Sequence, residues 1–215
     1  MCGICGIAFS DTARRVDTKT VAAMNDALTH RGPDDEGMWD GGHVALAMRR
    51  LAVIDVEGGH QPMTSDTGRI AVVFNGEIYN FQEVREGLAQ RGAVFHTRCD
   101  TEVILRAYEL DGDAAFPRFN GMFAIAIYDR DQERLLLARD RAGIKPLFYC
   151  VRDGALAFAS ELDALLRSGM ARGTLNAAAL DAYFTYLYIP APDSIFRDAQ
   201  KLLPGEKLVF QRGQV

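Results

Sequence analysis

The chain has 215 residues, 48% hydrophobic and 25% charged, an ordinary globular composition with enough apolar surface for one substantial core, and a single domain over residues 1–215 is expected. A formal net charge of -5, with the arginines scattered along the chain, argues against a nucleic-acid partner. No apolar run approaches the roughly 18 residues of a membrane helix and the start lacks the layout of a secretory leader. The expectation is therefore a cytoplasmic protein off the membrane, with Cys2, Cys5, Cys99 and Cys150 as thiols.

Gly3–Phe9 is an apolar, strand-like run, and residues 18–28 carry Val21, Met24 and Leu28 at helical spacing. The stretch His30-Arg31-Gly32-Pro33-Asp34-Asp35-Glu36-Gly37 mixes glycine and proline with charge and predicts a loop. Residues 44–54 and 70–74 predict strands, separated by a loop over 57–66. Helical spacing returns at Phe81–Gln90 and over 100–110, where Val103, Ile104, Ala107 and Tyr108 make an apolar stripe, so two helices of one layer are expected. Four strands in succession, 122–128, Arg134–Arg139, 147–151 and Ala155–Ala159, predict an antiparallel meander. Helices follow over 161–166 and 177–187, then a short strand at 207–210. This order predicts an α+β architecture of antiparallel sheets covered by helices.

Removal of one initiator methionine would leave Cys2 with a thiol and an α-amine on the same residue, and an amine with a reference pKa near ~8 can act as base for its own nucleophile. Cys2-Gly3-Ile4-Cys5 also has the C-x-x-C spacing of a redox or zinc pair, without a second pair or a histidine cluster, and a structural thiol is a third reading. Asn75-Gly76-Glu77 follows an apolar strand. It could aim a side-chain amide and a backbone N–H at an oxyanion, or it could be a plain Asn-Gly turn.

Arg49-Arg50, inside the 44–54 run, offers a planar fork for a carboxylate or a surface salt bridge; Asp100 could accept an ammonium or cap a helix. His30, His43, His60 and His96 show no metal-ligand spacing and no glycine-rich phosphate loop occurs, so neither a metal nor a nucleotide site is expected.

Taken together, Cys2-Gly3-Ile4, His30-Arg31-Gly32-Pro33-Asp34, Arg50-Leu51-Ala52-Val53-Ile54-Asp55, Asn75-Gly76-Glu77-Ile78-Tyr79-Asn80 and Asp100-Thr101-Glu102 resemble, in order and spacing, the class II glutamine amidotransferases. The asparagine synthetase-like branch is the best match. Phe119-Asn120-Gly121-Met122-Phe123-Ala124, Arg139-Asp140-Arg141-Ala142-Gly143-Ile144-Lys145-Pro146-Leu147 and Ala159-Ser160-Glu161 extend the resemblance over nearly the whole chain. One departure is Met48, where many relatives have histidine.

The resemblance implies the N-terminal-nucleophile hydrolase fold, an αββα sandwich of two antiparallel sheets between helix layers. It implies Cys2 as nucleophile, Asn75 and Gly76 as oxyanion hole, Arg50 for the α-carboxylate of glutamine, Asp100 with Glu77 for its α-ammonium, and Leu51 and Val53 along the site. It implies no cofactor in this domain; ATP and Mg are expected only for a synthetase domain absent from this chain, in the same or a separate polypeptide. A different acceptor, a non-catalytic regulatory module and a homodimer are arrangements the sequence leaves open.

Overall fold

A computed structural model describes all residues, 1–215. In chain order the first half comprises β1 (Gly3–Phe9), α1 (Thr18–Asp26), β2 (Asp35–Asp40), β3 (Val44–Arg50), β4 (Met63–Thr64), β5 (Ile70–Ile78), α2 (Phe81–Gln90) and α3 (Asp100–Asp111). After a 3-10 segment, Gly112–Arg118, come β6 (Gly121–Asp129), β7 (Arg134–Arg139), β8 (Phe148–Arg152), β9 (Ala155–Ala159), α4 (Leu162–Arg167), α5 (Ala177–Tyr186), β10 (Gln200–Lys201) and β11 (Lys207–Gln211).

The strands form two antiparallel sheets, β10-β8-β9-β1-β3-β2 and β11-β7-β6-β5-β4. Alternation along each strand sends successive side chains to opposite faces. One face of β1 and β3, with Ile4, Ala8, Val44, Leu46 and Met48, meets Ala71 and Val73 of β5 and Ala124, Ala126 and Tyr128 of β6 in a core between the sheets. The opposite face, Cys5, Ile7, Ala45 and Ala47, packs on Val21 and Met24 of α1 and Ala164 and Leu165 of α4. Beyond the second sheet, Val72, Phe74, Ile125 and Ile127 meet Leu88 of α2 and Val103, Ile104 and Ala107 of α3. Both faces of both sheets are therefore covered, which is why β1 and β3 read as continuous apolar runs rather than alternating ones. The expected αββα sandwich is present, with α2 and α3 in one layer.

Five expectations change. The loop predicted over 30–37 gives way at Asp35 to β2, an edge strand paired from Asp35↔Arg50 to Asp40↔Ala45. The strand predicted over 44–54 leaves the sheet after Arg50, because β3's partners end there and the next residues wrap around the Arg50 side chain. The strand predicted over 70–74 continues to Ile78, so Asn75-Gly76 pairs with Ala124 and Phe123 inside a ladder and is not a turn. The loop at 57–66 contains the two-residue strand β4. The four consecutive strands do not form one meander: β6 and β7 belong to one sheet, β8 and β9 to the other, and residues 140–147 cross between them.

Candidate active site

Cys2 packs against the core between the sheets, whereas Cys5 lies in the layer under α1; three residues apart on a strand, they point to opposite faces. That placement keeps Cys2 and Cys5 from acting as a redox or zinc pair, and all four cysteines are free. No group of three or more His, Cys, Asp or Glu side chains could hold a metal ion.

Two short segments fix the start of β1. Arg31 Nε donates to the Cys2 carbonyl at 2.9 Å, and its Nη1 pairs with Glu161 at 2.6 Å. Ser160 brackets Ile4: its Oγ accepts from the Ile4 N–H at 3.0 Å and its own N–H donates to the Ile4 carbonyl at 2.9 Å. The His30-to-Asp34 segment also shapes the far side of the cleft. Gly32 runs so close to β3 that a Cβ there would fall 2.3 Å from the Arg49 carbonyl carbon, and Asp34 accepts from the Ala52 N–H at 2.9 Å.

Arg50 is buried, and its guanidinium donates to the carbonyls of Ile54, Asp55 and Val56 at 2.7–2.9 Å. It thereby curls the following segment into a wall that carries Leu51 and Val53, and the fork keeps further N–H donors for the cleft. The Leu51 N–H donates to Cys2 Sγ at 3.4 Å. Asp55, at φ 49°, accepts from the N–H groups of Gly58 and Arg98, which hold its carboxyl below the usual range and tie this wall to the approach of α3.

Asn75 sits near the end of β5 on the side facing the other sheet, 1% exposed, and neither Nδ2 nor Oδ1 has a partner. Leaving a buried amide unsatisfied costs about 1–3 kcal/mol per group, and because Asn75 lines the cleft both of its polar atoms are available to a ligand there. The ladder with β6 turns alternate N–H groups of β5 to its other edge. There Phe74 N–H donates to Gln61 Oε1 at 2.7 Å and Ile78 N–H to Asp100 Oδ2 at 3.1 Å. The Gly76 N–H lies between them on that edge, where the two-residue β4 has already ended. A Cβ at Gly76 would meet the Met122 carbonyl oxygen at 2.1 Å, so only glycine lets the strand pass there.

Asp100 opens α3 rather than preceding it, and is buried. Burial pushes its carboxyl up to about 6, with the neighbouring Glu77 charge acting in the same direction. A buried carboxyl with this cost and a second carboxylate beside it is prepared for a cation.

These elements converge on one cleft of ≈ 150 Å³, lined by all eight residues singled out in the sequence: Cys2, Arg50, Leu51, Val53, Asn75, Gly76, Glu77 and Asp100. Four residues given no role in the sequence help to build it: Gln61, which lies outside the quoted motifs, and Glu102, Asp140 and Lys145, which lie inside them. Gln61 bridges β5 and α3, its Nε2 donating to Thr101 Oγ1 at 3.0 Å. Glu102, three residues past the helix cap, accepts from the His96 and Thr97 N–H groups at 2.9 and 2.7 Å, and its place in the first turn was the available signal. Asp140 accepts four backbone N–H groups, those of Phe123, Ala142, Ile144 and Lys145. It thereby shapes the crossing that brings Lys145 into the cleft.

Residues 1–215 match the family model of the glutamine amidotransferase domain. Asparagine synthetase [glutamine-hydrolyzing] 1 of Bacillus subtilis is 35% identical over 217 residues, covering 98% of this chain and 34% of that protein. A putative asparagine synthetase [glutamine-hydrolyzing] 2 of Methanocaldococcus jannaschii is 35% identical over 231 residues, with 98% and 44% covered. Among solved structures, glutamine phosphoribosylpyrophosphate amidotransferase from B. subtilis superposes with a TM-score of 0.72 at 19% identity, over 98% of this chain and 47% of that one, a likeness of fold. The chain thus spans about a third of the length of the first curated relative. With the family model matched over its whole length, the chain belongs to the class II glutamine amidotransferases, as a glutamine amidotransferase domain.

Proposed function

We propose that this domain hydrolyses free glutamine to glutamate and ammonia through a thioester on Cys2, and that the ammonia feeds an ATP-dependent, asparagine synthetase-like amidation in a partner domain. The observation that carries the reading is the buried, unpartnered Asn75 amide in the same cleft as the Cys2 thiol. With Met1 removed, the α-amine of Cys2 takes the thiol proton as sulfur attacks the side-chain carbonyl of glutamine. The tetrahedral oxyanion is received by Asn75 Nδ2 and the Gly76 N–H, donors already in place and shielded from water. The amine returns its proton to the leaving nitrogen, ammonia departs, and water hydrolyses the thioester with the same amine as base.

Selectivity for the free amino acid follows from charge at both ends of the site. Arg50 receives the α-carboxylate; Asp100 and Glu77 receive the α-ammonium. A glutamine within a peptide has neither terminal charge and would leave these buried groups unmatched. The partner domain has a surface available to it: Tyr183, Phe184, Tyr186 and Tyr188, on and just after α5, are exposed.

The test is glutamate release from free glutamine by protein shown by intact mass to lack Met1, run beside Cys2→Ala. Release should fall to background in the variant; equal release from both would sink the proposal.

A further inference from the structure

Lys145 is 4% exposed and lines the same cleft as Cys2, yet the proposed chemistry gives it no task. Its backbone is held firmly. Asp140 Oδ2 accepts from its N–H at 3.0 Å, and Arg139 Nε donates to its carbonyl at 2.7 Å. Its side chain is treated differently. The Nζ makes a single hydrogen bond, 3.4 Å to the thioether sulfur of Met1, the residue whose removal the mechanism requires. A buried ammonium with a thioether for its partner is poorly compensated, and burial holds it below the usual lysine range.

The charged groups around it come from every wall of the cleft. Arg31, from the segment after α1, opposes its charge; Asp140, on its own segment, and Glu77, at the end of β5, favour it from beyond ion-pair distance. Arg50 and Asp100 line the same cleft. The remaining group that favours the ammonium is Cys2 itself.

We propose that Lys145 is a positioning residue of the nucleophile, a fixed positive charge that balances the Cys2 sulfur when the thiol gives up its proton and again when the sulfur is expelled from the thioester. Both steps place negative charge on sulfur. In the first, the S–H proton moves to the α-amine and the S–C bond forms. In the second, water adds to the thioester carbonyl, the C–S bond breaks and its electron pair stays on sulfur, which then regains a proton. An ammonium shielded from water stabilises that charge more than one in solvent would. The role rests on the glutaminase reading for the making and breaking of the S–C bond, but the loss of the thiol proton concerns Cys2 alone.

The experiment reads the thiol directly. The rate of Cys2 alkylation by iodoacetamide is followed against pH by intact mass, on protein lacking Met1, for the wild type, Lys145→Met and Lys145→Arg. Lys145→Met should move the profile up by about one pH unit, roughly a tenfold slower reaction near neutrality, and Lys145→Arg should restore the wild-type profile. Superimposable profiles for the wild type and Lys145→Met would overturn the role, as would an arginine variant that shifts with the methionine variant.

Should Lys145→Met not fold, the native protein with 13C-labelled lysine gives the reciprocal reading, since coupled groups shift one another equally. Blocking Cys2 by alkylation should move the Lys145 titration to lower pH, and an unmoved titration refutes the coupling. Wild-type protein that alkylates as expected but releases no glutamate would instead count against the glutaminase reading and leave the Lys145 assignment standing.

Discussion

At the scale of single residues, the Asp100 carboxylate is held at a cost that a cation beside it would relieve. Asp100 has an ordinary carboxyl value of 3.8, raised to about 6 in the fold by burial. Between those values the folded chain keeps a proton that the unfolded chain has released. Stability should therefore fall as pH rises through this window, by about 3 kcal/mol in all at ~1.36 kcal/mol per unit. Asp100→Asn removes the ionisation while its side-chain oxygen can still accept from Ile78. The variant should thus unfold at higher urea than the wild type at pH 7.5, and the two should converge below pH 4. It should also raise the KM for glutamine at least roughly tenfold, since an ammonium loses a charged acceptor, and should abolish the fall in KM expected as Asp100 ionises on binding. Urea curves and KM at several pH values check both. The eight residues singled out in the sequence and lining the cleft were legible there through the family pattern they complete, Leu51 and Val53 through that pattern alone. Gln61 and Asp140 were not, since a glutamine in a loop or an aspartate after a strand has no local pattern that says which distant N–H groups it will accept.

At the scale of elements, the start of β1 depends on groups far away in sequence. Ser160 satisfies both the N–H and the carbonyl of Ile4, one by its hydroxyl and one by its backbone. Ser160→Ala would orphan the Ile4 N–H in a buried setting and should lower stability by about 1–3 kcal/mol. Because the residue two places from Cys2 is then loosened, kcat should fall together with stability if Cys2 carries the proposed chemistry; urea unfolding and glutamate release measured on the same preparation test the pairing. The errors in reading elements share a cause. Leu51-Ala52-Val53-Ile54 has strand composition, but the Arg50 side chain takes the Ile54 carbonyl and Asp34 takes the Ala52 N–H, which turns the segment away from the sheet. Asp35–Asp40 has loop composition, and β3 makes it a strand by offering a complete edge. In both places a tertiary partner outweighed local preference.

At the scale of the whole molecule, the two sheets meet through a layer whose largest members include Phe158 and Tyr128, both wholly or almost wholly buried. Phe158→Ala should cost about 3–5 kcal/mol, visible as a lower urea midpoint, while KM for glutamine stays near the wild-type value because the layer's other end forms the cleft. Antiparallel layers flanked by helices could be read from the order of elements. The split of β6-β7 from β8-β9 could not, because short connections fix that neighbouring strands run antiparallel and not which sheet receives them. The place of β1 between β3 and β9 has a consequence for synthesis. Cys5 pairs with Ala47, made soon after it, and with Ala159, made some 150 residues later. At ~5–20 residues per second, that leaves the first strand with one bare edge for on the order of ten seconds on the ribosome. The strand after Cys2 thus waits for its second partner until β9 is made, and a chain stalled before β9 would offer that edge to any other strand in reach.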